Sequence, residues 1–197
     1  MPLLDKRVTS TPGLVLWLAV QVLLSASVLE ADALATADAD GLEVKTESGG
    51  GVRATAHPLF PAKPEVIQAL LADYAHWPDL FEVRMRVAEL SIRDGVATID
   101  LRIDHPVMPG ERRLVTESRV LPNGGLVTDL KGGDFKRYHR VWKLQPAGEG
   151  NHTRADFELI VELDSLAPDW LVAMVTRQEL ETHFRIVKQK ALEHSKR

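Results

Sequence analysis

The sequence predicts an α+β domain: an edge hairpin and a short helix, an antiparallel meander of about six strands, and one long closing helix. Three observations carry that reading. From Val83 onward the apolar period is two, as in strands with one wet face. Asp94-Gly95 and Pro122-Asn123-Gly124-Gly125 punctuate the alternation with turns that suit hairpins. After Pro168 the apolar period becomes helical again. Strand runs next to helices give a sheet with helices on one face.

The elements follow in order. Leu42, Val44 and Thr46 alternate before Ser48-Gly49-Gly50-Gly51, and Val52, Ala54 and Ala56 alternate after it, which predicts a hairpin. Pro64 suits a first helical position, where a missing N–H costs nothing. Val66, Leu70, Leu71 and Tyr74 then recur at helical spacing, and Pro78 is expected to stop the element. Val83, Met85 and Val87 share one face of the first meander strand, and Ile99, Leu101 and Ile103 one face of the second. "RRLVTESRVL" and "GLVTDL" flank the next turn, followed by "FKRYHRVWKLQP". In "TRADFELIVEL", Ala155, Phe157, Leu159, Val161 and Leu163 oppose Asp156, Glu158 and Glu162. Asp169 opens the final helix, where a carboxylate favours the dipole. Its apolar positions are Trp170, Leu171, Met174, Val175, Leu180, Phe184, Val187 and Ala191.

Composition narrows the function classes. The 197 residues are 45% apolar and 26% charged, ordinary for a globular domain plus a tail. A net charge of −4 supplies no basic footprint for nucleic acid, and the absence of cysteine excludes disulfides, thiolate metal sites and a cysteine nucleophile. Lys6 and Arg7 precede the apolar run Gly13 to Leu24, and small residues follow around Ala31, Ala33 and Ala35. That pattern is an export signal over residues 1–35, with an uncleaved membrane anchor as the alternative. The apolar run is short of the roughly 20 residues a span needs. The expected location is therefore the periplasm or outside the cell. Residues 36–50 are expected to be an extension or edge strand, and 51–195 the domain itself.

One stretch stands out: "DYAHWPDLFEVRMRV", where Tyr74, His76, Trp77 and Phe81 crowd around Pro78. With the Asp-Gly hairpin, the aromatic strand "FKRYHRVWKL" and the final amphipathic helix, it resembles the START-like (SRPBCC) superfamily, in its coenzyme-Q-binding and polyketide cyclase/dehydrase branch. The resemblance covers about residues 50 to 195. It implies a helix-grip fold: a curved antiparallel sheet of six to seven strands wrapped around the long C-terminal helix, with one or two short helices after the first strand. It also implies a cavity between sheet and helix for an apolar ligand such as a lipid, quinone, sterol or polyketide. Candidate ligand contacts are then Met85, Leu101, Ile103, Phe157 and Leu159 on the strands, and Met174 and Phe184 on the helix. Tyr138 and Trp142 join them if their face of the strand is the inner one. For the aromatic corner the readings are wedge packing, a cavity mouth and catalysis, in that order, with His76 exposed.

The residues offer little catalytic machinery. The seven histidines include no pair at the i, i+4 spacing of a zincin. No P-loop and no G-x-S-x-G elbow occur. No metal and no cofactor are expected. Arg137, His139 and Val141 share one face of their strand; Tyr138, Arg140 and Trp142 share the other. An inward Arg140 needs an anionic partner, with Glu117 or Asp100 as the candidates. It is then a polar anchor for a ligand head group or an aid to enolate chemistry; the alternative is a surface cation with a buried stem. The functional expectation is a non-enzymatic carrier of an apolar small molecule, with transient membrane contact allowed and no nucleic-acid partner. The alternatives are a polyketide cyclase/dehydratase-type enzyme and an interaction module with a filled core.

Overall fold

The computed structural model describes residues 40–105 and 110–195, so the export signal expected at 1–35 lies outside the described residues. The expected hairpin is β1 (Glu43–Thr46) with β2 (Val52–Ala56), and a two-residue strand β3 (Leu59–Phe60) follows. The meander is β4 (Arg84–Arg93), β5 (Val96–Asp104), β6 (Arg112–Val120), β7 (Gly125–Gly133), β8 (Phe135–Ala147) and β9 (His152–Leu163). All pairings are antiparallel, in the order β1-β2-β9-β8-β7-β6-β5-β4, and β3 also pairs with β9. The sheet is unclosed, with edges at β1 and β4. It has nine strands rather than six or seven. The hairpin belongs to the same sheet, and a run as short as β3 shows no period in sequence.

The sheet is bent for local reasons. Register shifts interrupt the ladder between Val87 and Glu89, between Val115 and Thr116, and between Phe135 and Arg137. Each such irregularity adds twist and lets a long strand curve. Gly133, opposite Leu114, has φ +107° and lies so close to the Arg113 carbonyl that no Cβ fits.

The first helix, α1 (Pro64–Ala72), turns Ile67 and Leu71 into the core, and its Gln68 Oε1 accepts a 2.5 Å bond from the Gly125 N–H. It ends earlier than the position of Pro78 suggests. Asp73 leaves helical geometry at φ −80°, ψ 71°, and a 3₁₀ segment Tyr74–Leu80 carries the chain through Pro78. That tighter turn puts Tyr74, Trp77 and Leu80 on the buried side. The closing helix α2 (Asp169–Ser195) runs for 27 residues beneath the sheet. Its start is fixed by tertiary contact, because Asp169 Oδ1 accepts the Gly51 N–H at 3.1 Å. Among the described residues no helix is long and apolar enough to cross a membrane.

The core is aromatic at its centre. Trp142 of β8 is fully buried, 4.6 Å from Phe157, 5.7 Å from Phe184 and 6.0 Å from Phe60 between ring centroids. Phe157 and Phe184 meet edge to face at 5.3 Å. The outer face of the sheet carries ion pairs instead: His139 with Asp129, Arg137 with Glu162 and Glu47, Arg113 with Asp100, and Lys131 with Glu117. Asp100 is buried, but the other pairs are largely open to solvent, where they add little stability and keep that face wet.

Candidate functional site

Beyond the aromatic cluster, sheet and helix separate around a cavity of about 170 Å³. An apolar cavity of about 150 Å³ suffices to hold a benzene ring, so the space is of ligand size. Its sheet wall is Val83, Met85, Leu101, Ile103, Leu114, Phe135, Tyr138, Leu159, Val161 and Leu163. Its helix wall is Leu171, Val172, Val175, Thr176, Glu179 and Leu180, with Ala167 just before them. Trp77 and Phe81 of the corner complete it. The alternation of the strands explains much of the lining: in β5 and β9 one face is apolar and that face looks at α2.

The corner residues pack and line at once. Trp77 and Tyr74 meet edge to face at 5.2 Å, and Trp77 Nε1 donates to the Leu71 carbonyl at 2.9 Å. Phe81 stacks flat on His183 at 4.3 Å. His76 is exposed, and Asp73 beside it raises its pKa by hydrogen bond and charge.

Arg140, His105 and Glu179 interrupt the apolar wall, and His183 is buried beside it. Arg140 is only 6% exposed, and its guanidinium carbon lies 4.5 Å from the centre of the Trp77 ring. Its Nε has no hydrogen-bond partner. Burial raises the pKa of Tyr74 above the ordinary phenol value, and the Arg140 charge opposes that shift. Across the cavity, His105 Nε2 and Glu179 Oε1 approach at 3.4 Å. His183, 1% exposed on α2, donates from Nδ1 to the Leu80 carbonyl at 2.8 Å, which leaves Nε2 as a buried acceptor without a partner. Burial pulls this imidazole down to about 3; the bond to Leu80 opposes the shift and the Arg140 charge adds to it. His183 is therefore neutral at physiological pH.

The expected contacts divide. Met85, Leu101, Ile103, Tyr138, Leu159 and Arg140 reach the cavity wall. Trp142, Phe157 and Phe184 do not; they form the packed cluster next to it. Met174 is a correction, being 52% exposed on the side of α2 away from the core, as Trp170 is at 66%. The helical stripe that faces inward runs through Thr176, Leu180, His183, Val187 and Ala191. Neither carboxylate suggested for Arg140 pairs with it. Asp100 binds Arg113 and Glu117 binds Lys131, both from the other face of the sheet. His105 and His139 also lie on opposite faces. Among the described residues no group of three or more His, Asp or Glu could hold a metal ion.

Residues 60–184 match the model of a family described as polyketide cyclase/dehydrase and lipid transport. No curated protein is significantly similar to the chain in sequence. Among solved structures, TTHA0849 from Thermus thermophilus superposes with a TM-score of 0.60 at 23% identity, over 73% of this chain and 99% of that one. A START superfamily protein from Mycobacterium smegmatis gives 0.59 at 19% identity, over 72% and 97%. The ZhuI aromatase/cyclase from Streptomyces sp. R1128 gives 0.57 at 11% identity, over 73% and 94%. Identities this low speak for a common fold.

Proposed function

The chain belongs to the polyketide cyclase/dehydrase and lipid transport family, and on that premise we propose that it binds an apolar small molecule between the sheet and α2, as a carrier. The observation that supports the reading most is the unfilled space itself: about 170 Å³ walled by Met85, Leu101, Ile103, Leu159, Leu171 and Val175. Apolar surface of this kind gains about 25 cal/mol for each Å² that a ligand takes from water. Export of the protein and transient membrane contact during loading belong to the same proposal. Exposed Leu166, Trp170 and Met174 alternate along the chain with the cavity-lining Ala167, Leu171 and Val175.

A second reading, an acid–base enzyme of the cyclase type, is favoured by one observation. The His105–Glu179 pair and Arg140 line the same cavity. A carbonyl held by Arg140 would present its neighbouring carbon to a carboxylate base.

One experiment addresses both readings. Purified protein is incubated in heavy water, extracted with organic solvent and analysed by mass spectrometry. The carrier reading expects one predominant apolar species, unlabelled on carbon, that is lost from a folded Leu159→Trp variant whose indole fills the cavity. Deuterium on carbon would shift the balance to the enzyme. An extract with no such species, the same for wild type and variant, would defeat both.

A further inference from the structure

Resting on the ligand-binding reading, we infer that the ligand is an apolar carboxylate whose single negative charge is seated against Arg140. Arg140 is only 6% exposed, yet among the described residues no carboxylate lies within ion-pairing distance of it. The nearby acids are committed elsewhere. Asp100 serves Arg113, Glu117 serves Lys131 and Asp129 serves His139, all on the outer face, while Glu179 faces His105. An arginine remains charged at any physiological pH, so burial cannot neutralise it by deprotonation. A buried cation with no counter-ion is costly unless something else supplies the negative charge.

The register of β8 explains why the guanidinium points inward. Tyr138, Arg140 and Trp142 share a face, opposite Val161, Leu159 and Phe157 of β9. Among the described residues its contact is the face of Trp77, a cation–π contact that takes the place of no hydrogen-bond acceptor. The N–H edge of the guanidinium is a planar fork of donors, the complement of a carboxylate in two-point contact. His183 beside it adds no second charge, because burial keeps it neutral. Glu179 turns its carboxylate to His105, 3.4 Å away, and makes no ion pair with Arg140. Arg140 is the one fixed cation among the described residues of the cavity wall, and its single fork matches a monoanion. A phosphate monoester carries about −1.5 to −2 at neutral pH and would stay undercompensated. Two residues from Trp142 along its strand, Arg140 stands next to the aromatic cluster.

Three two-ring probes of nearly one shape test this: 2-naphthoate, 2-naphthalenemethanol and 2-naphthyl phosphate, titrated calorimetrically into the full chain. The expected result is that naphthoate binds at least tenfold more tightly than the alcohol, with the phosphate no better than the alcohol. Arg140→Met should erase the preference while leaving the alcohol bound as well or better, and Arg140→Lys should keep part of it. Should Arg140→Met fail to fold, Arg140→Gln takes its place, with the same loss of preference expected. Equal affinity of wild type for naphthoate and alcohol, tightest binding of the phosphate, or a preference that survives loss of the guanidinium would overturn the inference while ligand binding stands. No binding of any probe by folded wild type would remove ligand binding itself, and the carboxylate with it.

Discussion

Replacing Trp142 with alanine is expected to cost the fold about 3–5 kcal/mol, the range for emptying a fully buried aromatic site. The indole touches Phe60, Phe157, Phe184 and His183 together, so β3, β9 and α2 all lose a contact with β8. Phe157 and Phe184 cannot swing into the gap without breaking their contact with each other, nor His183 without leaving its stack on Phe81. A domain of this size has about 5–15 kcal/mol in total, so the midpoint in urea should fall by a large fraction. A loss below about 1 kcal/mol would mean that the cluster is loosely packed. The same substitution should leave the outer ion pairs in place, since they sit on the other face of the sheet.

The second large effect is acid sensitivity from His183. Its folded pKa is depressed to about 3, against an ordinary value of 6.5. A depressed value means that the unfolded chain binds the proton more readily. Stability is therefore fully present above pH 6.5 and lost as pH falls toward 3. Between about pH 7 and pH 5 this one ring should remove about 2 kcal/mol, the slope steepening toward about 1.4 kcal/mol per pH unit at the acid end. Two features keep the proton off in the folded state: burial beneath Phe81 and the positive charge of Arg140. In His183→Asn the amide N–H can take the place of the Nδ1–H toward Leu80, and nothing there titrates. Its urea midpoint should be lower at neutral pH and much flatter across the same acid interval. An equally steep loss in the variant would assign the acid sensitivity to other groups.

Much of the framework was legible because alternation is a direct consequence of strand geometry. The inward set Ala155, Phe157, Leu159 and Val161 could be read from β9 alone, since Asp156, Glu158 and Glu162 mark the opposite face. The face of β8 could not. Tyr138, Arg140 and Trp142 alternate with Arg137, His139 and Val141, so both faces are mixed, and the irregularity between Phe135 and Arg137 breaks the count from the turn. The helix misled for a related reason. Trp170 and Met174 continue an apolar stripe in sequence, but α2 rotates that side to solvent and places Thr176, Glu179 and His183 inward. The series 176, 180, 183, 187 and 191 keeps helical spacing only if polar residues are admitted to the stripe. Counting His183 there would have found it. Nothing local marks His105 or Glu179, because they are far apart in sequence and only the curvature of the sheet brings the end of β5 to α2.

The account stands or falls on the hollow under α2, and methyl-resolved NMR of the full chain titrated with 2-methylnaphthalene reads it directly. The methyl signals of Met85, Leu101, Ile103, Leu159, Leu171 and Val175 should move together and saturate, while those of the exposed Ile92, Val120 and Leu192 stay in place. Movement confined to the exposed methyls, or no saturable movement at all, would contradict it.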